Sequence, residues 1–242
     1  MSDAQAESRE RLARLLDSLA IAPSPPTPCP YLPGRDSRLV LLRPRTFTAD
    51  FYHRLMDLNF RRLGASVYRP QCDGCTECRQ LRVSVPRFQP SRAQRRCLAR
   101  NRDVAVALGD PEPTAEKQVI YQRYLASRHQ GEMTGSWQEF RDFLYAGPPL
   151  AREVVYRAGE RLVGAGIVDV LPEAMSAVYF YFDPALADRS PGTFNVLCLL
   201  AECQRRRLPW LYLGYYVAGS RTMSYKSAYR PHETLGSDGQ WR

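Results

Sequence analysis

The chain has 242 residues, of which 44% are apolar and 24% are charged, values that are typical of globular proteins and exclude wholesale disorder. Its formal net charge is +9, and only Lys117 and Lys226 among its 34 basic residues are lysines. No apolar run approaches the roughly 18 residues of a transmembrane helix. The N-terminal residues include acids and lack the apolar core of a secretory signal. We therefore expect a cytoplasmic protein, whose cysteines are free, catalytic or metal-bound rather than disulfide-bonded.

The first half of the chain, residues 1–108, is predicted to be a small α+β domain. Leucines at helical spacing predict an amphipathic helix over residues 5–19. The stretch 22–34 has six prolines in thirteen residues, which excludes a regular helix or a central strand and indicates a linker or a rigid extended strap. The other predicted elements are strands at 39–43, 65–70 and 81–85 and helices at 48–63 and 91–102.

A cysteine-rich loop lies between the second and third of these strands. Its thiols, Cys72, Cys75 and Cys78, have the spacing of metal ligands, and Cys29 on the proline-rich stretch is the candidate fourth ligand. Four thiolates would suit Zn²⁺ or an iron–sulfur cluster. The alternative is a set of reduced thiols packed under a loop, because no second Cys-x-x-Cys pair completes the site.

Basic residues are concentrated in one segment that begins at this loop. Residues 79–102 contain eight arginines and no acid. Arginine forks onto phosphate oxygens, so the segment predicts a nucleic-acid surface, and the alternative is a solvated basic face. The candidate nucleic-acid-binding residues are Arg79, Arg82, Arg92, Arg95, Arg96 and Arg100.

The second half, residues 109–242, is predicted to be another α+β domain. Two helices, at 115–129 and 137–145, precede an antiparallel meander, which is followed by a helix and a final strand. The predicted ranges are strands at 151–160, 161–171, 175–184 and 209–216 and a helix at 194–206. A loop that contains Arg189 and Gly192 enters that helix, so its backbone N–H groups would face an anionic group.

Motifs for covalent catalysis are missing from the sequence. None of the three histidines lies near a serine or cysteine in a recognisable pattern, and the chain has no Gly-x-Ser-x-Gly, His-Glu-x-x-His or Walker A motif. Transfer from an already activated acyl donor is the reaction that fits. The loop from Arg189 to Gly192 is similar to the pyrophosphate loop of GNAT acyltransferases, but Phe194 replaces a small residue of that pattern, which disfavours coenzyme A.

Several long blocks resemble the bacterial aminoacyl-tRNA–protein transferases, relatives of the eukaryotic arginyltransferases. They are CPYLPGR (29–35), NFRRLGASVYRPQCDGCTECRQLRV (59–83), RRCLARNRD (95–103), VYFYFDP (178–184) and LGYYVAGSRTMSYKSAYRP (213–231). The resemblance implies a GNAT-like C-terminal domain after a smaller domain with a cysteine loop. It also implies transfer of leucine from its tRNA to proteins with N-terminal Asp or Glu, marking them for degradation. Pro191 and Phe194 depart from the family pattern in the loop.

This chemistry assigns candidate roles to named residues. Asp169 and Asp183 are the candidate bases for the acceptor amine, although an Asp that starts a turn before Pro184 would look the same. Lys226 is the preferred cation for the acidic acceptor side chain, with Arg230 second. Backbone N–H groups near Gly192 would face the terminal ribose-phosphate, and transfer requires no cofactor. The aromatic residues that would stack on the adenosine or line the leucyl pocket, or equally form a core, are Tyr179, Tyr181, Tyr215 and Tyr225.

Three alternatives stay open at this point. The nearest is an arginyl-transferring member of the same family. A different class is a metal-containing tRNA-binding module without catalysis. The third is a coenzyme A-dependent N-acetyltransferase.

Overall fold

The computed structural model describes residues 3–128 and 134–242. The helices are α1 (Asp3–Ser18), α2 (Ala49–Met56), α3 (Arg92–Arg100), α4 (Ala115–Arg128), α5 (Trp137–Phe140) and α6 (Pro191–Arg205). The strands are β1 (Thr27–Pro28), β2 (Asp36–Ser37), β3 (Leu39–Leu42), β4 (Arg61–Leu63), β5 (Ser66–Pro70), β6 (Arg79–Ser84), β7 (Val104–Gly109), β8 (Ala151–Ala158), β9 (Arg161–Val170), β10 (Ala174–Phe182), β11 (Trp210–Tyr216) and β12 (His232–Thr234). Two 3₁₀ helices span Pro184–Arg189 and Ser224–Ala228, and a π-helical turn, Arg141–Tyr145, extends α5.

A seven-stranded sheet organises the molecule, in the order β12-β6-β11-β10-β9-β8-β7. All neighbouring pairs are antiparallel except β10 and β11, which run parallel because α6 connects them. Strand β9, an inner strand of this sheet, is buried along most of its length, in agreement with its nearly continuous apolar sequence. Both faces of the sheet are therefore covered.

Two apolar cores lie on the two faces of this sheet. On one face, Leu197 and Leu200 of α6 pack with Val163 and Val168 of β9. On the other face, residues of α4 and α5 pack with alternate residues of β9 and β10; the set includes Ile120, Tyr121, Leu125, Phe140, Leu162, Ile167 and Tyr181. Alternate side chains of a strand point to opposite faces, so β9 contributes to both cores.

A three-stranded sheet, β3-β5-β4, forms a third core with α2 against the large sheet. Thr48 caps α2 by accepting a hydrogen bond from the Phe51 amide. The sequence predicts that this helix continues to residue 63, but it ends at Met56, and Asn59 then adopts a left-handed φ of 64°. Asparagine tolerates this conformation better than most residues. The chain therefore turns back, and Arg61 and Arg62 lie on strand β4 rather than on a helix.

The predicted mixed α+β class is confirmed. The division at residue 108 stays a prediction, and the large sheet crosses it. Strand β6 belongs to the predicted first domain but lies between β11 and β12 of the second, and β7 pairs with β8. Strand β7 and the short strands β4 and β12 have no clear alternating pattern in the sequence, which is why the sequence does not predict them.

Candidate active site

A cavity of about 720 Å³ opens where the two parallel strands of the sheet separate. Strands β10 and β11 pair only between Ala174–Ser176 and Trp210–Tyr212. Beyond this point each strand has a register shift against its other neighbour, and residues from both strands line the cavity. The crevice beyond the carboxyl ends of adjacent parallel strands is the common ligand site of such sheets.

The N-terminus of α6 forms one wall of this cavity, from Ser190 to Thr193. Ser190 is the N-cap residue, but its side chain makes no capping hydrogen bond, so the amides of the first turn are open to a ligand. An ideal Cβ on Gly192 would meet no atom within 4 Å, which leaves its backbone accessible. Phe194 is buried and packs edge-on against Tyr156, with ring centroids 5.9 Å apart, so it points into the core rather than into the loop.

Lys226 contributes a buried amine to the cavity. Its Nζ donates a hydrogen bond to the Tyr215 carbonyl oxygen at 2.6 Å, and the residue is only 8% exposed. Burial lowers the pKa of Lys226 to about 7, and the nearby charge of Arg61 acts in the same direction. A lysine that is half neutral near pH 7 can accept a proton there.

Arg61 is a second buried cation of the cavity, and the sequence did not single it out. Its Nη2 donates to the Ala177 carbonyl oxygen at 2.8 Å. Its Nη1 is buried and has no hydrogen-bond partner among the described residues. The only signal in the sequence is the double arginine of the segment NFRRLG (59–64), placed within a pattern that predicts a helix.

Three of the four predicted tyrosines line the cavity: Tyr179, Tyr215 and Tyr225. Burial raises the pKa of each, so the phenols stay protonated and act as donors or stacking surfaces rather than as bases. The hydroxyl of Tyr179 is buried without a hydrogen-bond partner in the described chain. Tyr181 is different, because it is fully buried in the α4 core and its hydroxyl lies 3.1 Å from that of Tyr145.

Asp169 and Asp183, the two predicted bases, lie outside the cavity. Asp169 is fully buried and accepts hydrogen bonds from Arg62 Nε at 2.9 Å and Arg62 Nη2 at 2.7 Å. A carboxylate sealed in such a pair has no access to an acceptor amine, so we correct this prediction to a structural ion pair.

Asp183 caps a turn, as its position before a proline allows. Its side chain accepts from the Ala185 amide at 3.1 Å and from Arg161 at 2.6 Å. Burial acts to raise the pKa of Asp183, but the hydrogen bonds from Arg161 and the Ala185 amide lower it by more. The pKa of Asp183 is therefore below its ordinary value. These contacts correct the prediction from a base to a cap.

Arg189 and Arg230 are also outside the cavity lining. Arg189 forms an ion pair with Asp103 and donates to the Arg100 carbonyl oxygen at 2.7 Å. Arg230 is exposed and its Nε donates to the Ser227 carbonyl oxygen at 3.2 Å. Arg189 therefore fixes the entrance loop of α6 to the end of α3. Of the two cations predicted for the acidic acceptor, Lys226 lines the cavity and Arg230 does not.

Helix α3 presents a basic face to solvent. Gln94 and Cys97 face inwards, and the four predicted phosphate-binding arginines of this helix are exposed: Arg92, Arg95, Arg96 and Arg100. The helix end is attached to the cavity wall, since Asn101 Nδ2 donates to the Arg189 carbonyl oxygen at 2.9 Å and Arg100 donates to that of Asp188. The exposed basic face is thus linked directly to the loop that enters α6.

The other two predicted tRNA-binding arginines have different surroundings. Arg82 is stacked between the rings of Trp210 and Trp241, at 3.9 and 4.1 Å from the centroids, and donates to Glu233 at 2.8 Å. The guanidinium of Arg82 is held in this stack and is not available to a phosphate, which corrects the prediction that Arg82 binds tRNA. Arg79 is half-buried and donates to the Thr76 carbonyl oxygen at 3.3 Å.

The four predicted metal ligands, Cys29, Cys72, Cys75 and Cys78, lie in one neighbourhood. Burial raises the pKa of the Cys78 thiol to about 12, and the other three thiols raise it too. Among the described residues, however, no three His, Cys, Asp or Glu side chains are arranged so that they could hold a metal ion. The thiols as placed do not fit a metal, and the metal site stays a prediction.

Two models of the same family match the chain on either side of residue 108. The model described as "Arginine-tRNA-protein transferase, N terminus" matches residues 27–96, and "Arginine-tRNA-protein transferase, C terminus" matches residues 116–236. The second match includes β10, α6, β11 and the loop of Lys226, which together form most of the cavity. The chain belongs to the arginine-tRNA–protein transferase family.

Curated relatives align with almost the whole chain. A protein of Aeromonas hydrophila named "Aspartate/glutamate leucyltransferase" is 40% identical over 93% of this chain and 94% of its own length. A protein of the same name from Shewanella putrefaciens is 37% identical over 91% and 94%, respectively. At this coverage both alignments include most of each half of the chain.

Among solved structures, a C-terminal domain of the DUF2156 type from Agrobacterium fabrum has a similar fold. Its TM-score is 0.50 at 14% identity, and the alignment covers 77% of this chain and 66% of that one. At this identity the likeness concerns the fold alone. No helix in the described parts of the chain has the length and apolar character needed to cross a membrane.

Proposed function

We propose that this protein transfers leucine from leucyl-tRNA to the α-amino group of proteins that begin with Asp or Glu, marking them for degradation. The observation that carries the proposal is the alignment with a leucyltransferase over 93% of the chain. The two family matches, residues 27–96 and 116–236, include every residue that lines the cavity. The domain around the cavity is of the GNAT-like acyltransferase type. Its parallel β10–β11 pair, connected by α6 and separating at the cavity, supports that assignment.

The reaction needs no nucleophile from the enzyme. The acceptor's amine attacks the ester carbonyl carbon, a C–N bond forms, and the C–O bond to the terminal ribose breaks. The amine loses a proton to Lys226, and the departing ribose oxygen gains one. An α-amino group has a pKa of about 8, so a cavity amine with a pKa of about 7 is suited to accept that proton.

The α6 N-terminus supports the donor side of this scheme. Its open amides at Gly192 and Thr193 suit the terminal phosphate or the developing oxyanion of the donor. The exposed arginines of α3 would then contact the acceptor stem, because α3 is joined to the loop that enters α6. Tyr179 and Tyr225 provide aromatic surfaces for the terminal adenosine.

The cavity favours a leucyl over an arginyl donor. No Asp or Glu is among the described residues that line it, so a donor guanidinium would find no counter-charge there. Its wall instead offers apolar side chains from β9, α6 and β11, including Ile167, Val196, Leu199 and Leu213. A branched aliphatic group fits such a surface.

The decisive assay supplies the purified protein with labelled leucyl-tRNA or arginyl-tRNA and peptides that begin with Asp, Glu, Lys or Ala. We expect leucine on the Asp and Glu peptides and little transfer from arginyl-tRNA. Transfer from arginyl-tRNA alone would favour the arginyl alternative. Binding of tRNA without any transfer would identify a binding module instead.

A further inference from the structure

Arg61 has a position that the transfer chemistry alone does not require. Three cations line the cavity, of which Arg61 and Lys226 are buried and Arg128 is exposed, and its lining includes no carboxylate in the described chain. An uncompensated buried charge is costly, and a site that keeps one normally holds an anion during its function. The question is which of the two cations receives it.

The neighbouring arginine shows how this chain satisfies a guanidinium that has only a structural role. Arg62 donates to both carboxylate oxygens of Asp169 and, through Nη1, to the Gly64 carbonyl oxygen at 2.9 Å. Arg61 instead has one fixed nitrogen, Nη2 on the Ala177 carbonyl oxygen, and a buried Nη1 with no described partner. Unmade hydrogen bonds of buried charged groups are rare, so an unpaired one points to a ligand.

The backbone around Arg61 is shaped to admit its guanidinium. Gly214 lies at the register shift of β11 with a φ of +81°, and an ideal Cβ there would lie 2.5 Å from Arg61 Nη1 and 2.6 Å from its Cζ. Any side chain at this position would displace the guanidinium. Together with the bond to Ala177, this fixes Nη1 between the separated strands.

Lys226 is less suited to hold a permanent anion. Its Nζ already donates to the Tyr215 carbonyl oxygen, and its lowered pKa of about 7 means that much of it is neutral near pH 7. An arginine stays charged at any physiological pH, and its planar fork matches a carboxylate. Arg61 is therefore suited to hold the anion and Lys226 to accept the proton, two tasks that a single lysine would otherwise have to combine.

We propose that Arg61 is the specificity-determining residue for the acceptor, and that its free Nη1 donates to the side-chain carboxylate of the N-terminal Asp or Glu. This inference rests on the proposed function, because it names the acceptor side of the same site. With the carboxylate on Arg61, the acceptor's α-amine lies towards Lys226.

The test compares two peptides that differ only in an N-terminal Asp or Asn, which are nearly equal in shape. The measured quantity is the ratio of kcat/KM for the Asp peptide to that for the Asn peptide. Arg61→Gln is expected to reduce this ratio on the order of 10- to 100-fold, the value of a hydrogen bond to a charged group. Loss of the Arg61 charge also acts on the pKa of Lys226, but that effect is common to both peptides and cancels in the ratio. Equal losses for both peptides, or an unchanged ratio, would overturn the proposal.

Three further variants make the result specific. Arg69→Gln is the matched control, because Arg69 lies on the adjacent strand with its guanidinium over Phe60 and does not line this cavity, so the ratio should not change. Lys226→Met should slow both peptides and leave the ratio intact. If circular dichroism shows that Arg61→Gln is unfolded, Arg61→Lys replaces it as the test. This variant keeps the charge but loses the planar guanidinium, so the Asp-to-Asn ratio should fall. An unchanged ratio would overturn the proposal.

Calorimetry of the Asp and Asn peptides without tRNA separates this inference from the proposed function. Wild-type protein that prefers the Asp peptide, with the preference lost in Arg61→Gln, supports the role of Arg61 whether or not leucine is transferred. If leucine is transferred but Arg61→Gln does not change the preference for the Asp peptide, the role of Arg61 is rejected and the proposed function is retained.

Discussion

Arg61 and Arg62 are adjacent residues of strand β4, and their side chains extend into two regions that differ in how a buried charge is balanced. The side chain of Arg62 enters a sealed region, where it is 1% exposed and Asp169 neutralises it completely. The side chain of Arg61 enters the cavity, where Lys226 is a second cation and the described lining has no acid. Side chains of neighbouring strand residues point to opposite faces, so one short strand supplies both a sealed ion pair and a cation of the cavity. A buried charge is structural where its partner is built in, and functional where the partner must come from outside.

The largest expected effect concerns the buried ion pair between Arg62 and Asp169. Asp169→Ala should lower the free energy of unfolding by about 3–5 kcal/mol, because it leaves the Arg62 guanidinium buried and unpaired. Chemical denaturation measures this loss. Asp110→Ala is the control, since its ion pair with Arg152 is 3.6 Å long and Asp110 is exposed, and it should change stability very little. A stable but inactive Asp169→Ala protein would instead restore Asp169 as a catalytic base.

On the cavity side, Lys226→Met should reduce the rate of transfer by about 10²- to 10⁴-fold, the usual contribution of general base catalysis. In the wild type, the rate should rise with pH through about 7, as Lys226 loses its proton. The variant should lack that rise and show only the titration of the acceptor amine near roughly 8. Single-turnover rates against pH measure both effects. Lys117→Met, at the only other lysine, should affect stability through its pair with Glu153 but keep the pH profile. An unaltered profile in Lys226→Met would exclude Lys226 as the base.

The exposed face of α3 extends the comparison to the surface. Replacing Arg95 and Arg96 by Ala should weaken tRNA binding and reduce the slope of log K against log salt concentration by about 2, one for each phosphate that is no longer neutralised. The matched control replaces Arg205 and Arg206, which are paired with Glu202 at the other end of α6. Filter binding at several salt concentrations distinguishes the two double variants, and identical slopes would place the tRNA elsewhere.

The smallest effect is expected at the cap before α6. Asp183→Asn keeps an acceptor for the Ala185 amide but loses the charge that pairs with Arg161, so it should cost at most about 1 kcal/mol at neutral pH and leave transfer nearly unchanged. The folded-state pKa of Asp183 is lowered, so its contribution is present above the unfolded value of about 4 and is lost as the pH falls through the lower folded value. Urea denaturation of the wild type and the variant at neutral pH and at about pH 3 should therefore show a difference in the free energy of unfolding that becomes smaller in acid. A difference that does not change with pH would contradict this explanation.

The sequence predicts those parts of the molecule that local patterns determine. Alternating or continuous apolar runs locate the strands from β8 to β11, and the Ser136 capping box marks the start of α5, as the structure confirms. Gly192 is predicted because a loop before a helix stands out along the chain, and Lys226 because the acidic acceptor implied by the family resemblance calls for a cation. Both line the cavity.

Contacts between distant segments explain what the sequence could not predict. Arg61 reaches the cavity only because Asn59 ends the preceding helix and Gly214 leaves space for the guanidinium. An aspartate within the apolar run of β9 is equally consistent with a base and with a buried ion pair, and only the position of Arg62 decides between them. The same holds for Arg82, whose stack depends on Trp241.

The position of β6 between β11 and β12 has a consequence for how the chain folds during synthesis. Strand β6 is synthesised long before its two partners, residues 210–216 and 232–234, become available. Until then both edges of β6 are unpaired, and exposed strand edges promote aggregation. Long-range pairing of this kind also slows folding. An isolated segment 1–108 should therefore be a poor unit for expression, and the 242-residue chain should depend on chaperones more than its size suggests.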